Sequence, residues 1–325
     1  MINNKAIFRL LLIVIALGNT LLTLGQVRVD FEPRTTPSVF NVKGDFTMIG
    51  NTNLTLVNYS DSGTNNANMR YVDIDGNSNT FNSSSSTLNF SNENGADPNC
   101  SQIVYAGLYW TGRASDGFMY SAYADVTSYV QQNGLGEYFV ADIALVEGNG
   151  GGTGYYGGWG LVVVYENDLM NWRDVTVFDG HSYVAGSITA DFEIPVSGFN
   201  TALAGPINMK LGMMAGEGDR GISGDYFQIR NAANTNWVTL NHGGNSSNNF
   251  FNSSIYTGGN PRNPNLLNNT GMDVSMFDIN NPNNSVIANN QTSTRFKYGT
   301  TQDTYVIFNI TMSVDAYVPE TQAII

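Results

Sequence analysis

Three acids near the middle of the chain have the spacing to act together. Glu217, Asp219 and Asp225 fall within the nine residues Glu-Gly-Asp-Arg-Gly-Ile-Ser-Gly-Asp. The glycines let such a loop fold back on itself, so the three carboxylates could converge. Converged acids would serve one of three chemistries. Two carboxyls about 5–9 Å apart across a sugar cleft make a glycosidase pair. Oxygen ligands alone would suit Ca²⁺, in an extracellular site of modest affinity. Acids of an exposed loop would instead cap turns and pair with Arg220, staying ionised and making poor general acids. A second acidic string, Asp73-Ile-Asp75-Gly-Asn77-Ser-Asn79, alternates oxygen side chains like the first half of an EF-hand loop. Its twelfth position is Ser84, where an EF-hand has Glu, and no helices flank it. The string therefore suits a calcium loop of another kind, or a hairpin turn at Asp75-Gly76. Tyr155, Tyr156 and Trp159 sit in a glycine-rich stretch. The two tyrosines are candidates for stacking on a ligand such as a sugar ring. Trp159 is expected in the core, just before the apolar run 161–165.

Other chemistry is poorly provided for. Gly152-Thr-Gly154-Tyr-Tyr-Gly157 matches the dinucleotide fingerprint in spacing, but a strand-like run follows it where a helix is required. Gly180-His181-Ser182 begins like a nucleophile elbow and lacks the second small residue. Adjacent side chains of an extended segment point opposite ways, so His181 cannot serve Ser182. His242, the other histidine, lies in a Gly/Asn loop. No catalytic residue is assigned, and the chain is expected to be non-catalytic.

Composition narrows the class further. The 325 residues carry a formal net charge of −13, with 14 basic and 27 acidic side chains. An electrostatic nucleic-acid binder needs clustered Lys and Arg, so that partner is excluded. One Cys and two His exclude disulfide scaffolds and zinc fingers. Cys100 is expected to be a small, partly buried thiol. The 43 Asn and 35 Gly require abundant turns.

The first 25 residues have the layout of an export signal. Lys5 and Arg9 are followed by an apolar run from Leu10, and by Thr23 and Gly25 before a cleavage point at Gln26. Removing them takes away two cations and no acid, moving the charge from −13 to −15. The apolar run is short of the ~20 residues that span a bilayer, and no later stretch is long enough. The mature chain is thus expected outside the cytoplasm with no transmembrane segment.

Short alternating runs dominate the remainder. In 304–317, Val306, Phe308, Ile310, Met312 and Val314 alternate with Asn309, Thr311, Ser313 and Asp315, which predicts a half-buried antiparallel strand. Alternation also marks 192–196 and 207–213. Residues 103–110 and 161–165 are apolar on both faces and predict central strands. Further strands are expected near 54–59, 70–74, 137–146, 174–178, 226–230 and 237–240. One short helix is expected, N-capped by Asp125, with Val126, Tyr129 and Val130 on one face and Gly134 ending it. Residues 60–99 and 231–290, rich in Asn and Ser, read as long surface loops. The pattern predicts an all-β antiparallel sandwich of jelly-roll type, with long Asn/Gly-rich loops. The expected division is a signal at 1–25, the sandwich at 26–318, and the start of a linker at 319–325.

Several strings resemble those of a known group. Ile103-Val-Tyr-Ala-Gly-Leu-Tyr-Trp-Thr-Gly112, Tyr123-Ala-Asp-Val-Thr127, Gly157-Gly-Trp-Gly-Leu-Val-Val-Val-Tyr-Glu166, and Glu217-Gly-Asp219 with Gly224-Asp225 occur here in order. They resemble motifs of very large gliding-adhesin-like surface proteins of Flavobacteria and relatives, many of them exported by the type IX secretion system. A related uncharacterised domain occurs in archaeal surface proteins. The resemblance covers roughly residues 40–318. It implies an N-terminal surface domain with Ig-like modules downstream, binding a surface glycan or a protein, and no established catalytic residues. Separately, Asp125-Val-Thr with a following Gly is similar to a motif of jelly-roll sugar-binding domains in β-galactosidase-type enzymes, which makes a carbohydrate-binding module the alternative.

Overall fold

Strand-forming runs separated by Gly, Asn and Pro fold as the alternation predicts, into sheets. A computed structural model describes residues 28–186 and 192–317. The export signal and the 319–325 segment lie outside the described residues. In chain order the strands are β1 (Val29–Pro33), β2 (Phe40–Thr52), β3 (Leu54–Leu56), β4 (Asn68–Tyr71), β5 (Ser83–Leu88), β6 (Gln102–Arg113) and β7 (Met119–Asp125). Helix α1 (Thr127–Asn133) precedes β8 (Gly136–Ala141), β9 (Gly148–Asn149), β10 (Gly157–Glu166), β11 (Trp172–Ala185), β12 (Phe192–Ser197) and β13 (Met209–Gly216). Then come β14 (Tyr226–Arg230), β15 (Trp237–Thr239), β16 (Ile255–Tyr256), β17 (Arg262–Asn263), β18 (Met272–Asp278), β19 (Ser293–Gly299) and β20 (Thr304–Asp315). None of the described helices is long and apolar enough to cross a membrane.

The protein is an all-β, antiparallel sandwich. The long path β16-β18-β13-β20-β11-β2-β10-β6-β7 is antiparallel except for the short β16–β18 pair, and β1 adds to β11. The path divides at β2. Phe40–Lys43 pair with β11, and Gly44 onward pairs with β10. Glycine is needed at the division, because a Cβ on Gly44 would lie 2.0 Å from the Tyr165 carbonyl oxygen. The two halves face each other. Phe46, Met48, Val162 and Val164 from one pack with Val175, Val177, Met214, Val274 and Phe308 from the other.

Each half also buries its outer face. The β12-β19-β14-β15 sheet sets Ile194, Phe227, Ile229 and Phe296 against Leu211, Met213, Ile310 and Met312. On the far side, Leu54, Leu88 and α1's Val130 pack on Ile49, Trp159, Leu161 and Val163. The central strands are therefore enclosed by four layers, which changes the expected reading of β20. Its polar residues Asn309, Thr311 and Ser313 are buried, not solvated. Thr311 donates to Asn309 Oδ1 at 3.0 Å, and Asn309 donates to the Phe178 carbonyl. The apolar face is also divided. The pairing of β13 with β20 shifts register between Met214 and Ala215, so Phe308 joins the inter-half core while Ile307, Ile310 and Met312 face outward.

The two polar tracts depart further from expectation. Ser83–Ser86 form most of β5 and are 0–1% exposed, and Phe250, Phe251, Asn268, Asn269 and Thr270 are all buried. These segments are folded layers of the molecule. Helix α1 ends at Gly134 as expected, but its N-cap is Val126, which makes no side-chain cap, so the expected cap Asp125 stands one residue ahead of it. Asp125 Oδ1 accepts from the Thr127 N–H at 2.9 Å, and Gly134 closes it at φ +65°. Val130 is its buried anchor, whereas Tyr129 points to solvent and meets Tyr138 edge-on.

Candidate functional site

The acids of the 217–225 loop do converge, but in the interior and with a different third member. The loop leaves β13 at Glu217, whose φ of +83° turns the chain inward. Glu217 and Asp219 meet Asp303, which lies just before β20, and one carboxylate oxygen from each lies within 4.8 Å of the others. All three are 1–2% exposed. The Asp219 N–H donates to Asp303 Oδ2 at 3.0 Å, and Asp219 Oδ1 accepts from the Asn65 N–H at 2.9 Å. The loop between β3 and β4, the loop after β13 and the turn before β20 thus meet at one point.

Burial dominates the electrostatics there. Desolvation pushes Asp219 up to about 7 and Asp303 up to about 8. Glu217 is raised well above its ordinary value, first by burial and then by Asp303 and Asp219. The expected surface pairing with Arg220 is not formed. Its guanidinium donates to the Leu267 carbonyl, and none of the described ion pairs involves Glu217, Asp219 or Asp303. Asp225 stands outside the group of three. It is fully buried on its own account, accepts from the Phe251 N–H at 2.6 Å, and is raised by burial to about 6.

The other sequence candidates fare unevenly. Asp73, Asp75 and Asn77 are exposed and turn inward on their own loop. Asp73 Oδ1 accepts from the Gly76 N–H, Asp75 Oδ1 from the Asn77 N–H, and Asn77 Oδ1 from the Asn79 N–H, each at 3.1 Å. The loop joins β4 to β5, which belong to different sheets, so Asp75-Gly76 is not a hairpin turn. Tyr156 is wholly buried, with its hydroxyl 3.3 Å from Thr111 Oγ1, and offers no face for stacking. Tyr155 is half-buried beneath the Arg113 guanidinium. Trp159 is core, as expected, and donates to Ser84 Oγ at 2.8 Å. Cys100 is exposed rather than partly buried.

A second site has no counterpart in the sequence reading. An open cleft of about 470 Å³ lies where edge strand β7 approaches β1 and β11. Tyr109, Phe118, Tyr120 and Tyr123 give it an aromatic wall. Phe118 is 58% exposed, so part of that wall is free to meet a ligand. Arg34 and Asp179 form an ion pair on the other side, with Arg34 Nη2 2.7 Å from Asp179 Oδ1. The Arg34 guanidinium also covers the Tyr123 ring at 4.7 Å. Ser121 and Tyr123, two residues apart on β7, share a face, and Ser121 Oγ lies 2.8 Å from His181 Nδ1. Burial lowers the His181 pKa, so its imidazole is neutral at pH 7. A second open cleft along Tyr105, Asp125, Thr127 and Tyr129 shares Arg34 and Tyr123 with the first, so the two form one trough.

Comparison with known proteins adds little to this geometry. Crystal structures of BuGH86 and of a variant of it, both in complex with neoagarooctaose, align at 8% identity with TM-scores of 0.27 and 0.26. The alignments cover 88% and 86% of this chain but only 35% and 34% of those chains, so it spans about a third of their length. Likeness at that level carries no inference about ligand or activity. No family model and no curated protein matches the chain.

Proposed function

We propose that this chain is a non-catalytic, ligand-binding domain of an exported, adhesin-like surface protein, and that its trough takes a carbohydrate. The observation that carries the reading is that the clustered acids are buried, while the two on the open trough are already engaged, Asp179 by Arg34 and Asp125 by the Thr127 N–H. A glycosidase needs two carboxyls facing each other across an accessible cleft. Here Glu217, Asp219, Asp225 and Asp303 are 0–2% exposed. The open trough instead offers the exposed Phe118 ring, with Tyr120 and Tyr123 part-exposed, beside the Arg34–Asp179 pair, a combination able to stack on a sugar ring and fix its hydroxyls. Export and the surface role rest on the signal-like N-terminus and on the ordered motifs resembling flavobacterial surface proteins.

One contact favours a second reading. Ser121 and His181 are placed as a nucleophile and a base, which would suit acyl transfer. A working triad also orients its histidine with a third group. Asp179, the nearest acid in sequence, is engaged by Arg34 and Tyr109, and no hydrogen bond joins a carboxylate to His181 among the described residues. Binding therefore remains the better account.

The test is a polysaccharide binding screen with isothermal titration of the hits, run beside chromogenic glycosides and esters. Saturable glycan binding without turnover is expected. Phe118→Ala should weaken it about tenfold, the loss of roughly 1–1.5 kcal/mol of aromatic contact. Ester turnover abolished by Ser121→Ala, or glycan binding unaffected by Tyr123→Ala and Phe118→Ala together, would overturn the reading.

A further inference from the structure

Three buried carboxylates meeting without a cation are costly, because charge in the interior must be paired, neutralised or coordinated. Glu217, Asp219 and Asp303 have no ion-pair partner among the described residues. Arg113, the cation that acts on Glu217, spends its guanidinium on the carbonyls of Gly117, Gly150 and Gly154. Glu217 Oε2 makes no hydrogen bond at all.

A second observation concerns an uncharged side chain aimed at the acids. Asn65 is 0% exposed, its Oδ1 has no hydrogen-bond partner, and its Nδ2 has none of normal geometry, although the amide lies near enough to Glu217 to lower that group's pKa. Such an amide should satisfy three or four bonds, so an orphaned one at full burial is rare. It is fixed beside the carboxylates. Its N–H holds Asp219, its side chain acts on Glu217, and Gly154 and Gly271 lie against it, where a Cβ on either would crowd the amide. An asparagine amide reads the same with oxygen and nitrogen exchanged, so Oδ1 can face the acids.

We infer that Asn65, Glu217, Asp219 and Asp303 form a binding site for a hard divalent cation, with Ca²⁺ as the best fit. The donors are all oxygen, which excludes ions that prefer sulfur or imidazole. Three carboxylates and an amide oxygen, drawn from three loops, match the irregular, carboxylate-rich shells of Ca²⁺ better than the strict octahedron of Mg²⁺. The four ligands come from three segments far apart in sequence, so the ion would pin the 57–67, 217–225 and 300–303 segments to one another. This site is separate from the trough, and its failure would leave the ligand-binding reading untouched.

The test uses the mature chain, residues 26–325, stripped with chelator and then titrated with CaCl₂ or TbCl₃ alone. Ca²⁺ at roughly ten times its Kd should raise the melting midpoint by about 2 °C. Tb³⁺ should show luminescence sensitised by Tyr156, which packs beside Gly216 and senses Glu217, and Ca²⁺ should displace it. Asp303→Asn and Asn65→Ala should each weaken Ca²⁺ at least tenfold, while Asp75→Asn in the exposed loop should bind as the parent does. A variant that fails to fold is replaced by Asp219→Asn, read by the same luminescence. Unchanged midpoints with no sensitised Tb³⁺ signal, or loss of binding in Asp75→Asn alone, would overturn the site.

Discussion

Replacing Asp273 with asparagine tests whether burial or hydrogen bonding sets the charge of a carboxyl inside this fold. Asp273 is fully buried on β18. Its Oδ1 accepts from the N–H groups of Asn252 at 3.1 Å and Ser254 at 3.0 Å, and its Oδ2 from Ser253 at 3.0 Å. Three donors favour the ionised form, while desolvation favours the acid. Burial prevails and pushes the group up to about 8. The folded pKa is thus above the unfolded value of about 3.9, so the folded state keeps its proton longer. The stabilisation is fully present below pH ~4 and is lost as pH rises through about 8, at about 1.4 kcal/mol per unit inside that window. Asparagine does not titrate. Its Nδ2 would face the Ser253 N–H, a mismatch costing about 1–3 kcal/mol at every pH. The pH dependence of the difference between the two proteins therefore isolates the titration. Between pH 5 and 7 the wild-type advantage should shrink by about 2.7 kcal/mol, enough to narrow the gap in melting midpoints by roughly 5 °C. Scanning calorimetry of both proteins at pH 5, 6 and 7 measures it. Parallel profiles would refute the reasoning and show that three N–H donors keep Asp273 ionised throughout.

Two predictions concern the frame that holds the sites. A Cβ on Gly212 would lie 2.5 Å from Met48 Sδ and 2.7 Å from the Phe46 ring, so Gly212→Ala should destabilise by about 1–3 kcal/mol in urea unfolding. An unchanged midpoint would mean that the halves are not packed as closely as described. Trp159→Phe and Ser84→Ala each break the buried indole N–H bond to Ser84, and each should cost about 1–3 kcal/mol. The double variant should cost clearly less than the sum, because one interaction is lost twice, and strict additivity would sink that account.

The sequence rules worked where one physical cause acted alone. The runs 103–110 and 161–165, apolar on both faces, are the central strands β6 and β10, since two buried faces need two apolar faces. Gly134 ends α1 because a positive φ at a helix C-terminus is local chemistry, whereas the cap expected at Asp125 falls one residue early. The longest central strand but one, β2, is absent from the expected strands although Phe40, Val42, Phe46 and Met48 alternate with Asn41, Lys43, Asp45 and Thr47; what no pattern announces is that its first part pairs with a different strand from the rest.

The candidate centre was half legible for a related reason. Glu217 and Asp219 stand in a glycine-rich string and draw attention by proximity. Asp303 is 84 residues beyond Asp219 and Asn65 is 154 before it, and neither carries a local signal. Their meeting is a property of topology, because β13 and β20 are neighbours and the loop after β3 folds across their ends. The same topology explains why polarity misled the burial reading. Period-two alternation predicts a wet face only when a sheet has one. With layers on both sides, short Asn, Ser and Thr side chains are buried, and some bond to one another, as Thr311 does to Asn309 and Ser84 to Asn53. Buried acids find their own solutions, Asp273 in three N–H donors and Asp45 in Lys210. Glu217, Asp219 and Asp303 instead meet one another without an ion-pair partner among the described residues, so they must hold a proton or find a cation.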